Sequence, residues 1–110
     1  MPRVREYGIG RWPLAMRCKR WLRRHFYRRC YVLVDEVECG EDEVGYGEIV
    51  WRKGRAPLIR LSPHQTEEQA VDTLLHEWAH LISGDEDHGI GFASAFAGLV
   101  ARWRSFTSTK

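Results

Sequence analysis

His76-Glu77-Trp78-Ala79-His80 is the stretch of this 110-residue chain whose residue types and spacing could do chemistry. Residues four apart on an α-helix project from one face, one turn above the other. Two imidazoles so placed can hold one Zn²⁺, and the Glu between them then lies beside the metal as a general base. With five His and ten Glu in the chain, a chance match to the HExxH pattern is expected about 0.02 times. Taken singly, each His reads as an exposed or hydrogen-bonded side chain. Taken with His88, eight residues further on, the set reads as a metal site.

Catalytic zinc usually has three protein ligands and one open position. The candidates for the third ligand are His88, Asp85, Glu86, Asp87 and the distant His64. Imidazole suits zinc, and a chain reversal after Gly84 would return residue 88 towards His80, so His88 is the expected ligand. Asp85-Glu86-Asp87 would otherwise form a solvated turn, or orient the imidazoles by accepting their free N–H groups. Three imidazoles with no fourth ligand leave the metal open to water, whose pKa zinc lowers to about 7. Glu77 would take that proton and pass it to a departing amine, which is the apparatus of amide hydrolysis. Tyr7, Tyr27, Tyr31, Tyr46 and His64 stand level as candidates to stabilise the oxyanion.

The elements that must position these residues follow from periodicity. Residues 1–11 show no clear period and read as an irregular lead-in. Pro13 suits the first turn of a helix, and from Leu14 to about Tyr27 the residues Leu14, Cys18, Trp21, Leu22 and His25/Phe26 recur at helical intervals. Tyr31 to Val37, Tyr46 to Trp51 and Leu58 to Leu61 read as strands. Cys39 to Glu43 forms the turn after the first strand, and Lys53-Gly54 the hairpin turn into the third. Such brief links predict an antiparallel meander. Thr66 with Gln69 makes a capping box, Glu67 and Glu68 suit the positive end of a helix, and Gly84 marks its stop. On that helix Val71, Leu74, Leu75, Trp78, Leu81 and Ile82 form a stripe to bury. Thr73, His76, Glu77 and His80 fall on the adjoining face, free to line a cleft. A last helix carries Phe92, Phe96, Leu99, Val100 and Trp103, and residues 105–110 read as a frayed tail.

One domain spanning 1–110 with one modest core is the expectation from length. An apolar fraction of 44% with 29% charged residues suits a globular domain. No apolar run approaches the roughly 20 residues of a membrane helix, and no apolar h-region follows the N-terminal charges. The cytoplasm is therefore the expected compartment. Cys18, Cys30 and Cys39 are odd in number with no C-x-x-C, which argues against a disulfide framework or a Cys-based zinc ribbon. Cys18 and Cys30 read as small core residues.

The residues Thr73-Leu74-Leu75-His76-Glu77-Trp78-Ala79-His80, followed by His88-Gly89 and Phe92, resemble the SprT-like group of zincin metallopeptidases, with its HExxH, spacer and H-G-x-x-F. The order of a helix, a short sheet, the active helix and a further ligand-bearing helix is similar over about residues 14–104, although only 73–92 is specific. The resemblance implies an α+β fold, a small zincin-like domain with an N-terminal basic helix, a three-stranded, mainly antiparallel sheet, the HExxH helix and a C-terminal helix. It implies Zn²⁺ on His76, His80 and His88, Glu77 as general base, a tight turn at Gly89, packing by Phe92 and a peptide or protein substrate. The metzincin pattern fails at Ser83 and Glu86.

A net charge of +2 hides a division. Residues 1–30 hold ten Lys/Arg and one Glu, a net +9, and the remainder carries −7. Arg17, Lys19, Arg20, Arg23, Arg24, Arg28 and Arg29, with Trp21 and Phe26 among them, could make weak, non-specific DNA contacts. The same arginines could instead pair with the acidic remainder. A DNA-associated accessory protein with a structural or inactive zinc site is thus the alternative to a zinc peptidase.

Overall fold

A computed structural model describes residues 8–37, 45–84 and 88–108. Along these the chain runs through a short 3₁₀ turn, Ile9–Arg11, then α1 (Pro13–His25), β1 (Tyr31–Val34), β2 (Gly47–Val50), β3 (Leu58–Leu61), α2 (Glu67–Ser83) and α3 (Ile90–Ser108). The turns expected at Cys39 to Glu43 and Asp85 to Asp87 lie outside the described residues, as do Tyr7 and most of the lead-in.

Pro13 opens α1 as its composition requires. Trp12 offers the helix no side-chain cap, and the free N–H of Leu14 instead donates to the carboxylate of Glu67, at 2.9 Å. One acidic residue thus serves two helix N-termini, its own and that of α1. The capping box at Thr66 and Gln69 is complete in both directions. Gly84 ends α2 in the left-handed conformation, φ 68°, with its N–H on the carbonyl of His80.

The three strands form one sheet in the order β1-β3-β2. The β2–β3 hairpin is antiparallel, as its short turn demands, but β1 pairs with β3 in parallel. The sheet is therefore mixed, and the expected meander is not formed. The reason lies in burial. In Leu58-Ile59-Arg60-Leu61 both Ile59 and Leu61 are fully buried, whereas in Tyr31-Val32-Leu33-Val34 only Val32 is. The central position covers both edges of such a strand, whereas Gly47-Glu48-Ile49-Val50, half-buried throughout, suits an edge. The first strand also ends at Val34 rather than Val37.

α2 packs on the sheet face that carries Val32, Ile59 and Leu61, touching β2 and β3, and α1 and α3 pack in turn against α2. Trp78, inside the HExxH sequence, is fully buried and donates its indole N–H to the carbonyl of Phe26 at 2.8 Å. Cys18 and Cys30 are buried in this core, with no disulfide between them. Two expectations change at the ends. Residues 9–11 of the lead-in are helical, with Ile9 buried, and the supposed frayed tail continues α3 through Ser108. Phe106 stacks on Trp21 with centroids 5.8 Å apart, Arg17 lies over the Phe106 ring, and Thr107 bonds back to the carbonyl of Trp103. Those contacts hold the last turn.

Candidate metal centre

The core grips α2 through Leu74, Leu75, Trp78 and Ala79, which turns the opposite side of the helix towards β2 and the start of α3. His76 and His80 stand one turn apart there, ring centroids 5.1 Å apart. His88 reaches them from the residues just before α3. The Nε2 atoms of His76 and His88 are 3.2 Å apart, and ligand atoms of His76, His80 and His88 all lie within 4.8 Å of one another. Tetrahedral zinc with bonds of 2.0–2.1 Å places two nitrogens about 3.3 Å apart. The His76–His88 spacing matches that value, and the three-imidazole donor set could hold a metal ion such as zinc. No other group of this kind occurs among the described residues.

Phe92 sets the rings. It stacks on His80 at 4.3 Å and meets His76 and His88 edge-on at 4.9 and 4.8 Å. Ala93 N–H bonds to the carbonyl of Gly89, so α3 begins just past Gly89 and brings Phe92 back over the cluster. Burial, and then the neighbouring His80 and His88, pushes the His76 imidazole down to about 4. A ring held neutral at physiological pH is ready to ligate.

Glu77 is 7% exposed. Burial, and then the carboxylate of Glu48, pushes its carboxyl up to about 7, where a general base is best matched to neutral solution. A cavity of about 300 Å³ beside it is lined by Tyr46, Gly47, Thr73, His76 and Phe96. A second hollow, at Ile49 and Trp51, opens on its other side towards His80.

The sequence reading had no place for Gly47, Glu48, Trp51 or Phe96 at this site. Gly47 could have been found, because a glycine inside a strand marks a close approach. A Cβ there would overlap the Cγ2 methyl of Thr73 and lie 3.6 Å from Cγ of Glu77. Among the described oxyanion candidates, Tyr46 alone lines the Glu77 cavity, its hydroxyl accepting from Gln69 Nε2 at 3.3 Å. His64 instead pairs with Glu36 at 2.9 Å, and Tyr27 is an exposed side chain after α1.

Of the seven basic residues singled out, Lys19 is buried, and Arg23 is half-buried with its guanidinium on the carbonyl of Cys30. Arg17, Arg20, Arg24, Arg28 and Arg29 are exposed. No helix among the described residues is long and apolar enough to cross a membrane. Compared with known proteins, the chain matches no family model, no curated protein and no solved structure.

Proposed function

We propose that this protein is a zinc-dependent metallopeptidase of the SprT-like kind, with His76, His80 and His88 holding Zn²⁺ and Glu77 as the general base. The observation that carries this reading is the convergence of three imidazoles, two of them at a separation that suits tetrahedral zinc, beside a buried carboxyl. Zinc in such a site supplies Lewis acidity, which polarises a scissile carbonyl and acidifies water. Glu77 accepts the proton of the attacking water and returns it to the amine nitrogen as the C–N bond breaks. β2 is an edge strand whose Gly47 packs against the Glu77 side chain. Its outer edge, unpaired among the described residues, can pair with an extended peptide and lay it along the cluster. Tyr46, in the same cavity, is the preferred donor to the oxyanion. Cys18 and Cys30, buried without a disulfide between them, support a reducing compartment, the cytoplasm.

The test is metal content and hydrolysis measured together. Purified protein should carry about one zinc per chain, and Glu77→Gln should keep zinc and fold while losing cleavage of a casein substrate. Wild-type cleavage by Glu77→Gln would refute the role of Glu77. Full zinc retention in His76→Ala/His80→Ala would refute the site.

A second reading, a DNA-associated protein, is supported by Arg17, Arg20 and Arg24, exposed at i, i+3 and i+7 on α1. It is compatible with peptidase action on DNA-bound proteins, or with a zinc site that is purely structural.

A further inference from the structure

From Ile90 to Ala101, α3 carries no charged side chain, although much of this stretch faces water: Ile90 is 92% exposed, and Ala93, Ala97 and Ala101 are exposed. A surface helix of this composition exposes apolar area that marks a binding surface. The face is hollowed. Phe92, which is buried, and the half-buried Phe96 and Val100 recur every four residues beside the small side chains, and together they line a groove of about 580 Å³. That volume is within the range of ligand-binding clefts. His88 bounds one end and Arg104 the other.

Its position says what occupies it. His88 and Phe92 belong to both the groove and the imidazole cluster, and Phe96 is common to the groove and the Glu77 cavity. A chain that crosses the cluster from the Glu77 side thus passes over Phe96 directly into the groove. Charged side chains would lose hydration there and gain no partner before Arg104 among the described residues, whereas leucine-like or aromatic side chains would cover surface that is otherwise wet. We propose that this groove is a substrate subsite that selects peptides with large apolar side chains next to the bond presented to the His76/His80/His88 cluster. The inference rests on the peptidase reading of that cluster.

The test uses zinc-loaded protein and two probes, a glycyl-glycine hydroxamate and a leucyl-leucine hydroxamate, with binding measured by calorimetry. Both reach the metal through the hydroxamate, and only the second has side chains for the groove. The leucine compound should bind wild type at least about tenfold more tightly. Ala97→Arg, at an exposed helical position that tolerates the longer side chain, should cut that gain below about threefold and leave the glycine compound unchanged. If the glycine compound fails to bind, or binds equally after zinc removal, the metal reading falls and the subsite falls with it. Zinc-dependent binding of the glycine compound without a leucine gain, or a gain that survives Ala97→Arg, overturns the subsite alone. A wild-type dimer that Ala97→Arg dissociates, again without a leucine gain, assigns the groove to a second copy of the chain and also overturns it.

Discussion

Glu77 is held under opposing demands. Its neighbours in sequence, Trp78 and Ala79, are fully buried, so the helix cannot rotate to give the carboxyl water. Folding the metal-free chain therefore works against an ionised Glu77. Its pKa is raised from an ordinary 4.5 to about 7, so stability linked to this group is fully present below pH 4.5 and is lost as pH rises through 7. The loss reaches up to about 3 kcal/mol. Glu77→Gln removes this titration, so in EDTA-treated protein the variant should melt progressively higher than wild type between pH 5 and 8. His76 has the opposite linkage, since its lowered pKa gives stability that is present above pH 6.5 and lost as pH falls through about 4. It is common to both proteins, so it cancels in their difference. A melting difference that stays flat with pH would show that the Glu77 carboxyl is solvated. The ligands give a second prediction at this scale. Because losing a group merely behind a ligand costs about 10–100-fold in metal affinity, His88→Ala should weaken zinc by more than about a hundredfold. His64→Ala, whose ring pairs with Glu36 away from the cluster, should leave zinc binding unaltered. Equal affinity of the two variants in a competition titration would move the third ligand elsewhere.

The elements divide according to the range of the interactions that define them. α2 was legible residue by residue because its signals are local: the Thr66/Gln69 box, the period of its core stripe and Gly84 as the stop. The His76/Glu77/His80 face followed from the same period. The sheet was legible as three strands but not as an arrangement, because insertion of β3 between β1 and β2 depends on the relative burial of whole strands. The last turn of α3 was missed for a similar reason, since Phe106 is held by Trp21, 85 positions earlier. The approach of β2 to α2 is the element-scale feature that matters most to the site, and it depends on Gly47. Its φ is not positive, so the demand is for space. Gly47→Ala should cost about 1–3 kcal/mol by overpacking and displace Glu77. Adding Thr73→Ser removes the overlapping methyl while keeping a hydroxyl for Gln65 and the Gln69 carbonyl. The double variant should recover part of the loss, with a remainder from the Arg60 carbonyl, 3.1 Å from the added Cβ. Denaturant unfolding of the set decides it, and a double variant no more stable than Gly47→Ala would place the crowding elsewhere.

At the scale of the whole molecule, charge is partitioned between a +9 N-terminal segment and a −7 remainder. Folding uses part of the basic set internally: Lys19 is buried, Arg23 binds the Cys30 carbonyl, and Arg17 lies on Phe106. Only Arg17, Arg20 and Arg24 share one stripe of α1, with Arg28 and Arg29 beyond its end. Five point charges without a helix shaped to read base edges give phosphate contacts and no sequence preference. Duplex DNA should bind weakly, with log K falling by about 0.9 per contact for each tenfold rise in salt. Arg20→Gln/Arg24→Gln removes two contacts, so the slope of log K against log salt should become shallower by about 2. Zinc content and peptide cleavage should be unaffected, because α1 contributes no residue to the imidazole cluster. An unchanged slope would mean that these arginines are engaged within the chain or that binding occurs elsewhere. Absence of binding at low salt would remove DNA from the account and leave the proposed zinc chemistry of α2 untouched.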